Sequence, residues 1–143
     1  MKLNTINVTA ILAALLIVAT AGSAHAGNTC STATLKGSYG ALLTGFVGGA
    51  AFATLDLVTA DGFGNASGSG TSNVGGTVST APISFTYMIN SDCTGSATFS
   101  NGSTQNLIVK QDGSEVYILR TGPPSAGTVI SGTAHLLSST NQQ

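Results

Sequence analysis

Four ionisable side chains lie within segments of alternating apolar and small residues, and their chemistry could serve a ligand. They are Asp56, Tyr117, Arg120 and His135. A carboxylate, phenol, guanidinium or imidazole that points into an apolar cavity can orient a bound molecule or transfer a proton. We therefore take these four as candidate ligand-binding residues.

The orientation of each candidate decides whether it can reach such a cavity. Charged side chains of small domains mostly face water, and we expect Asp56 and Arg120 to point outward as solvated charges. We expect His135 to lie on the surface or at a cavity mouth, and Tyr117 to pack on the domain with its hydroxyl at an edge. An inward orientation of Asp56 and Arg120 would instead let them orient a ligand or act in acid–base chemistry.

The sequence contains no recognisable catalytic or metal-binding motif. His135 is the one histidine after residue 26, and a zinc site needs several such ligands. No serine lies in a nucleophile-elbow sequence. Three aspartates sit in turn signals, where hydrogen bonding to their own turns explains them: Asp61, Asp92 and Asp112. We therefore assign no catalytic residue, no metal site and no cofactor.

Residues 1–26 have the three parts of a secretory signal peptide. Lys2 supplies a positive charge, residues 8–21 are almost unbroken apolar sequence, and residues 23–26 end in a small-x-small pattern. We predict a signal-peptide helix, cleavage after Ala26 and a secreted or periplasmic product. The alternative is a transmembrane anchor, but the apolar run is marginal for a bilayer span of about 20 residues.

The remaining residues, 27–143, are enough for one domain. Only 6% of the chain is charged and the formal net charge is −1, so binding to nucleic acid or electrostatic attraction to a membrane is disfavoured. Cys30 and Cys93 form an even pair, which in an oxidising compartment predicts a disulfide. On the chain-entropy model this bond stabilises the fold by about 4 kcal/mol.

Turn signals rich in glycine, asparagine and aspartate recur along the chain and separate eight segments of strand-forming residues. Pro82 interrupts the fourth segment and predicts a bulge or bend. The third segment has almost no large side chains, which fits an edge strand, a closely packed strand or a poorly formed one. The predicted strands cover residues 37–47, 50–60, 66–72, 77–90, 96–100, 104–110, 115–121 and 127–137.

An all-β, antiparallel up-and-down barrel of about eight strands accounts for this pattern. Both cysteines then fall at the same end of the barrel, because Cys30 precedes the first strand and Cys93 follows the fourth. To reach Cys93, residues 31–36 must cross the barrel opening, which six residues can do over about 20 Å. We predict that this segment plugs the bottom, with any open mouth among the turns at the other end.

Several segments together resemble a group of small secreted bacterial proteins of uncharacterised function. They are Cys30 followed by Gly37-Ser38-Tyr39-Gly40, then residues 61–65, 87–95 and 129–134. The architecture is similar to calycin-like barrels such as allene oxide cyclase and dirigent proteins. This similarity implies a fold alone, and no active-site residue of those proteins is carried over to this chain.

Three functions fit a barrel of this kind, and the first is the one we expect. It is non-enzymatic binding of a small apolar molecule, or an envelope or surface role. The second is a cofactor-free cyclase or isomerase acting in the cavity, which an inward cluster of Asp56, Arg120 or His135 would favour. The third is an outer-membrane barrel, which the short, polar third and fifth strands disfavour. The oligomeric state stays open.

Overall fold

The computed structural model describes residues 29–139, which form a closed barrel of eight antiparallel strands in sequence order. The predicted up-and-down barrel is confirmed. The predicted signal peptide lies outside the described residues. Within residues 29–139, no helix is long and apolar enough to cross a membrane.

All eight predicted strands are present, and their ends agree with the prediction within two residues. A short 3₁₀ helix, Thr32–Thr34, precedes them. The small residues of the third strand pack between its two neighbours and pair with both. The strands are β1 (Lys36–Val47), β2 (Ala50–Asp61), β3 (Asn65–Val74), β4 (Thr77–Ile89), β5 (Thr94–Phe99), β6 (Thr104–Val109), β7 (Glu115–Gly122) and β8 (Val129–Ser138).

Antiparallel pairing of β1 with β8 closes the barrel. Ala41 on β1 lies opposite Asp56 on β2 and Ala134 on β8, so these three residues share one level of the wall. Because side chains alternate between the faces of a strand, every second residue points inward. The lower interior is apolar and tightly filled by residues that include Tyr39, Val58, Ala60, Ala66, Tyr87, Ile89, Ala97, Leu107, Val109 and Val116.

The chain segment before β1 closes the lower end of the barrel, as predicted. Leu35 is buried there, and its carbonyl accepts a hydrogen bond from the Tyr87 hydroxyl at 2.7 Å. The same hydroxyl accepts a hydrogen bond from the Gly62 amide at 3.0 Å. Tyr39 donates to the Gly113 carbonyl at 2.9 Å. The plug, residues 30–35, is therefore held at Leu35 by a buried hydrogen bond from β4, and Tyr39 binds the turn after β6 beside it.

The predicted disulfide between Cys30 and Cys93 is present and ties the plug to the turn after β4. It joins residues 63 positions apart, with their Cα atoms 5.0 Å from each other. Cys30 is buried and packs with the lower core. The bond therefore fixes the start of the plug on the far side of the opening that the plug crosses.

The barrel wall is uneven in height. Strands β1 and β2 have 12 residues each, whereas β5 and β6 have only six. The β4–β5 ladder starts at Phe85, and the Ser84 carbonyl accepts one further bond from Ser100. The part of β4 before Ser84 therefore rises above β5 as a sheet edge, and the upper mouth slopes down toward the turn between β5 and β6.

Pro82 lies on this free edge of β4. The bulge predicted there is wrong, because β4 pairs with β3 through Pro82 without a shift in register. Ser84 directs its backbone groups toward β5, and a residue two positions away faces the same side of a strand. The N–H that proline lacks would therefore point away from β3, toward the unpaired side, so no ladder bond is lost.

We predict that Tyr87→Phe lowers the free energy of unfolding by about 1–3 kcal/mol, because it leaves the Gly62 amide and the Leu35 carbonyl unpaired at a buried site. Denaturant titration followed by circular dichroism measures the change. Tyr117→Phe is the control, since that side chain is 51% exposed, and its effect should stay within about 0.5 kcal/mol. Equal effects of the two variants would contradict the role of the Tyr87 hydroxyl.

Candidate ligand-binding cup

The interior holds two spaces of different character. The lower space, above the plug, is an apolar cavity of about 60 Å³, much smaller than the roughly 300–1,000 Å³ of typical ligand sites. The upper space is an open cup of about 360 Å³. Asp56, Leu43, Ile83, Phe99 and Gln105 border both spaces and so form the floor of the cup. Of the two interior spaces, only the one at the mouth has a ligand-sized volume.

The cup combines apolar walls with a few polar groups. Its larger apolar side chains are Leu43, Val47, Phe52, Ile83, Phe99 and Ile130. Thr54 and Asp56 of β2, Gln105 of β6 and Arg120 of β7 supply the larger polar groups, and short serines of β3, β4 and the β5–β6 turn complete the rim. This composition is typical of small-molecule sites, in which a few convergent polar groups orient a mostly apolar ligand.

Asp56 points into the barrel, so the outward orientation expected for it is wrong. It shares the inner face of β2 with Thr54 and Val58, while Leu55 and Leu57 between them are more than half exposed on the outside. The polarity of this stretch is thus reversed relative to an ordinary strand of a soluble barrel. The reversal is tolerated because Asp56 lies where the packed interior meets the open cup.

A hydrogen-bond chain holds the Asp56 carboxyl. Thr54 Oγ1 lies 2.6 Å from Asp56 Oδ1 and 3.2 Å from the Thr71 carbonyl oxygen. A hydroxyl has a single proton to donate, so it cannot satisfy both acceptors fully. Both contacts become good hydrogen bonds when Asp56 is protonated and donates to Thr54, which then donates to Thr71. The geometry therefore favours the neutral carboxyl.

The environment of Asp56 acts in the same direction. Burial raises the pKa of this carboxyl above its ordinary value, because the charged form loses solvation. The hydrogen bond from Thr54 acts oppositely and lowers the pKa, but it is the smaller of the two effects. Asp56 therefore holds its proton to a higher pH than a solvated aspartate does.

Gly70 makes room for the Asp56 carboxyl. The two residues are direct partners in the β2–β3 ladder. A methyl group built on Gly70 would overlap the Asp56 carboxylate and the end of the Ile83 side chain. The backbone of Gly70 does not need a positive φ angle, so this glycine is required for space and not for conformation. The cup thus contains a seat shaped for an inward carboxyl.

Arg120 also points inward, contrary to the expected outward orientation. It follows Val116 and Ile118 on the inner face of β7 and pairs across the ladder with Gln105, which also lines the cup. Within residues 29–139, the single ion pair is Lys110 with Asp112 at the plug end. The guanidinium of Arg120 therefore lies on the cup with no carboxylate within salt-bridge distance among the described residues.

Tyr117 and His135 do not line the cup. Each directly follows an inward, buried residue, Val116 and Ala134, so alternation directs it outward. His135 is exposed on the outer wall, and its Nε2 lies 3.3 Å from Thr133 Oγ1. Of the four candidates, the structure thus brings Asp56 and Arg120 to one site and places the other two on the outside, where a ligand inside the barrel does not touch them.

The aspartates of the turns have the structural role predicted for them. In each case one carboxylate oxygen accepts a hydrogen bond from the amide two residues later: Asp61 with Phe63, Asp92 with Thr94, and Asp112 with Ser114. These bonds lower the pKa of Asp92 and Asp112, led by the side-chain hydroxyls of the same partners. No cluster of three potential metal ligands occurs within residues 29–139.

Three residues of the cup are not among the candidates predicted from the sequence: Thr54, Gly70 and Gln105. Thr54 could have been found, because it lies two positions before Asp56 and so shares its face. The seat provided by Gly70 and the pairing of Gln105 with Arg120 depend on strand register. No local pattern of the sequence encodes that register.

We predict that Asp56→Asn changes the pH dependence of stability in a defined direction. The pKa of Asp56 is higher in the folded state than the value of about 3.9 in an unfolded chain. Its contribution is therefore full below the unfolded pKa and is lost as pH rises through the folded pKa. Relative to the variant, the natural protein should lose stability over that window, as measured by denaturant titration at a series of pH values.

Asp92→Asn is the matched control for this experiment. Folding lowers the pKa of Asp92, chiefly through its Thr94 hydrogen bonds, so the sign is reversed. Its contribution is present above the unfolded pKa and lost as pH falls. If both variants shift the pH profile in the same direction, the buried, proton-retaining state of Asp56 is refuted.

We predict that Gly70→Ala destabilises the barrel by about 1–3 kcal/mol through overpacking against the Asp56 carboxyl and Ile83. Removing the carboxyl in the double variant Gly70→Ala/Asp56→Ala should recover part of this loss. The four free energies of unfolding form a double-mutant cycle, which measures the coupling directly. Additive effects would show that Gly70 does not serve as the seat of Asp56.

Comparison of the chain with protein-family models, curated protein sequences and solved structures gives no match. The resemblance to small secreted bacterial proteins thus stays a prediction from the sequence. The features of the molecule that bear on its function are those of the cup: its apolar walls, its floor, and the inward pair Asp56 and Arg120.

Proposed function

We propose that this protein is a secreted binder of a small, largely apolar molecule, which it holds in the cup. The observation that carries the proposal is the one-ended interior: the plug closes the lower end, and a cup of about 360 Å³ opens at the other. An interior of a small barrel is ordinarily filled by side chains or occupied by one small ligand. Here the lower half leaves an apolar cavity of only about 60 Å³, whereas the upper half is open as the cup.

The cup wall supports an apolar ligand. Side chains such as Leu43, Ile83 and Phe99 present hydrocarbon surface to the open volume, and burying apolar surface stabilises a complex by about 25 cal/mol per Å² before the costs of binding. The low wall formed by β5 and β6 gives a lateral entrance to this surface. The Cys30–Cys93 disulfide suits an oxidising compartment, which supports the secreted location that the proposal includes.

A cofactor-free cyclase or isomerase is the second candidate. The observation that favours it is the presence of Asp56 and Arg120 on one cup. A carboxyl whose pKa is raised by burial holds its proton to a higher pH than a solvated one and can act as a general acid or base, and a guanidinium can stabilise a developing negative charge. Both candidate functions use the same cup, and they differ in whether the bound molecule leaves unchanged.

The test is native mass spectrometry of protein recovered from the exported fraction, with organic extraction of any bound molecule. A reproducible added mass is the expected result for a binder. A molecule that is released with altered structure after incubation would favour the isomerase. An empty protein that also fails to bind apolar dyes would overturn both functions.

We predict that Ala81→Trp abolishes dye binding or weakens it at least about tenfold, because the indole occupies the cup that Ala81 lines. Val78→Trp is the matched control. It places the same side chain on the outer face of the same strand, where Val78 is 63% exposed. Titration with an environment-sensitive apolar dye measures both variants. Equal loss in both would show that the dye binds outside the cup.

A further inference from the structure

The charged groups of the cup are few and unequal. Among residues 29–139, only Asp56 and Arg120 carry ionisable groups on its lining. The other polar groups there, which include Gln105 and Thr54, are neutral. Tyr39 and Tyr87, which border the cavity beneath, donate their hydroxyls to the Gly113 and Leu35 carbonyls in buried hydrogen bonds. The electrostatic character of the cup is therefore set by one acid and one base.

The Asp56 carboxyl already has a hydrogen-bond partner within the protein. Thr54 and Thr71 complete a chain of hydrogen bonds that suits the protonated carboxyl of Asp56, and Gly70 lets that carboxyl lie flat against the wall. Burial raises the pKa of this carboxyl and so disfavours its negative charge. The Arg120 guanidinium is thus the main charge on the lining of the cup.

The guanidinium of Arg120 has donors to offer. It lies beside Gln105 on the inner face of the barrel, and no carboxylate of the described residues lies within salt-bridge distance of it. The planar fork of an arginine binds a carboxylate through two parallel hydrogen bonds. One cation balances one negative charge, which matches a carboxylate better than a phosphate dianion.

We propose, on the basis of the function inferred above, that the ligand of the cup is a small apolar monocarboxylate. Its carboxylate binds Arg120, with Gln105 beside it, and its hydrocarbon body lies on Leu43, Ile83 and Phe99 at the floor. Asp56 and Thr54, where burial disfavours the negative charge of the carboxyl, lie on the side of the cup that faces that body. A ligand with a cationic head is excluded by Arg120.

The experiment compares three probes with the same hydrocarbon chain: octanoate, 1-octanol and octylammonium. Isothermal titration calorimetry at neutral pH measures each against protein from the exported fraction. Octanoate should bind at least about tenfold more tightly than 1-octanol, since hydrogen bonds to charged groups are the stronger ones. Octylammonium should bind most weakly of the three.

Variants assign the preference to its residue. Arg120→Gln should remove most of the octanoate advantage, about tenfold in affinity, while leaving 1-octanol binding unchanged. Asp56→Asn should tighten octanoate binding, because it removes the negative charge that the ionised fraction of Asp56 places in the cup. Lys110→Gln is the matched control, because Lys110 lies in the turn after β6 at the plug end, and it should change neither affinity.

The outcomes distinguish the proposal of a carboxylate ligand from the broader proposal that the cup binds an apolar molecule. If 1-octanol binds as tightly as octanoate, or if octylammonium binds most tightly, the carboxylate proposal is overturned and the apolar cup stands. A loss of octanoate binding in Asp56→Asn would likewise overturn it, by showing that the ionised carboxylate is needed. If none of the three probes binds and Ala81→Trp changes nothing, the binding function itself fails.

Discussion

Closing an eight-stranded sheet on itself leaves an interior just wide enough for side chains or one small ligand. This width determines what each half of the barrel can contain. The lower half contains apolar side chains and two tyrosines, of which Tyr87 binds the plug at Leu35 and Tyr39 binds the turn after β6 at Gly113. The upper half leaves the same width open. The division falls at the level of Asp56, where filled interior gives way to the cup.

The polar groups of the cup follow from this division. A carboxyl deeper in the barrel would lose solvation without compensation, and one higher on the rim would keep its charge in water. At the boundary, Asp56 is partly buried, bonded to Thr54 and seated over Gly70. Arg120 lies nearer the mouth, at the end of β7, where solvent still reaches it. Position along the barrel axis thus raises the pKa of the Asp56 carboxyl by burial and leaves the Arg120 guanidinium in contact with solvent.

Much of the fold could be predicted from the sequence, because turn residues and alternation are local signals. The strand ends follow from them. The disulfide follows from the even pair of cysteines in a chain predicted to be exported, and the positions of these cysteines in the barrel predict the plug. The orientation of Asp56 could not, because Leu55 and Leu57 outweigh it in any local pattern and yet face outward. Arg120 shares a face with Val116 and Ile118, so alternation alone predicts its inward position. The general preference of charged side chains for water predicts the opposite and is wrong here. Register, which pairs Gly70 with Asp56, is a property of the closed sheet.

Pro82 has a consequence beyond its own strand. The edge of β4 above β5 exposes unpaired backbone groups, and such an edge is a template on which a second chain can add a strand. With only 6% charged residues, the protein has little electrostatic repulsion to keep copies apart. Proline removes a donor from the edge at that point, so an incoming strand cannot complete a ladder there. Pro82 therefore limits strand addition at the free edge of β4.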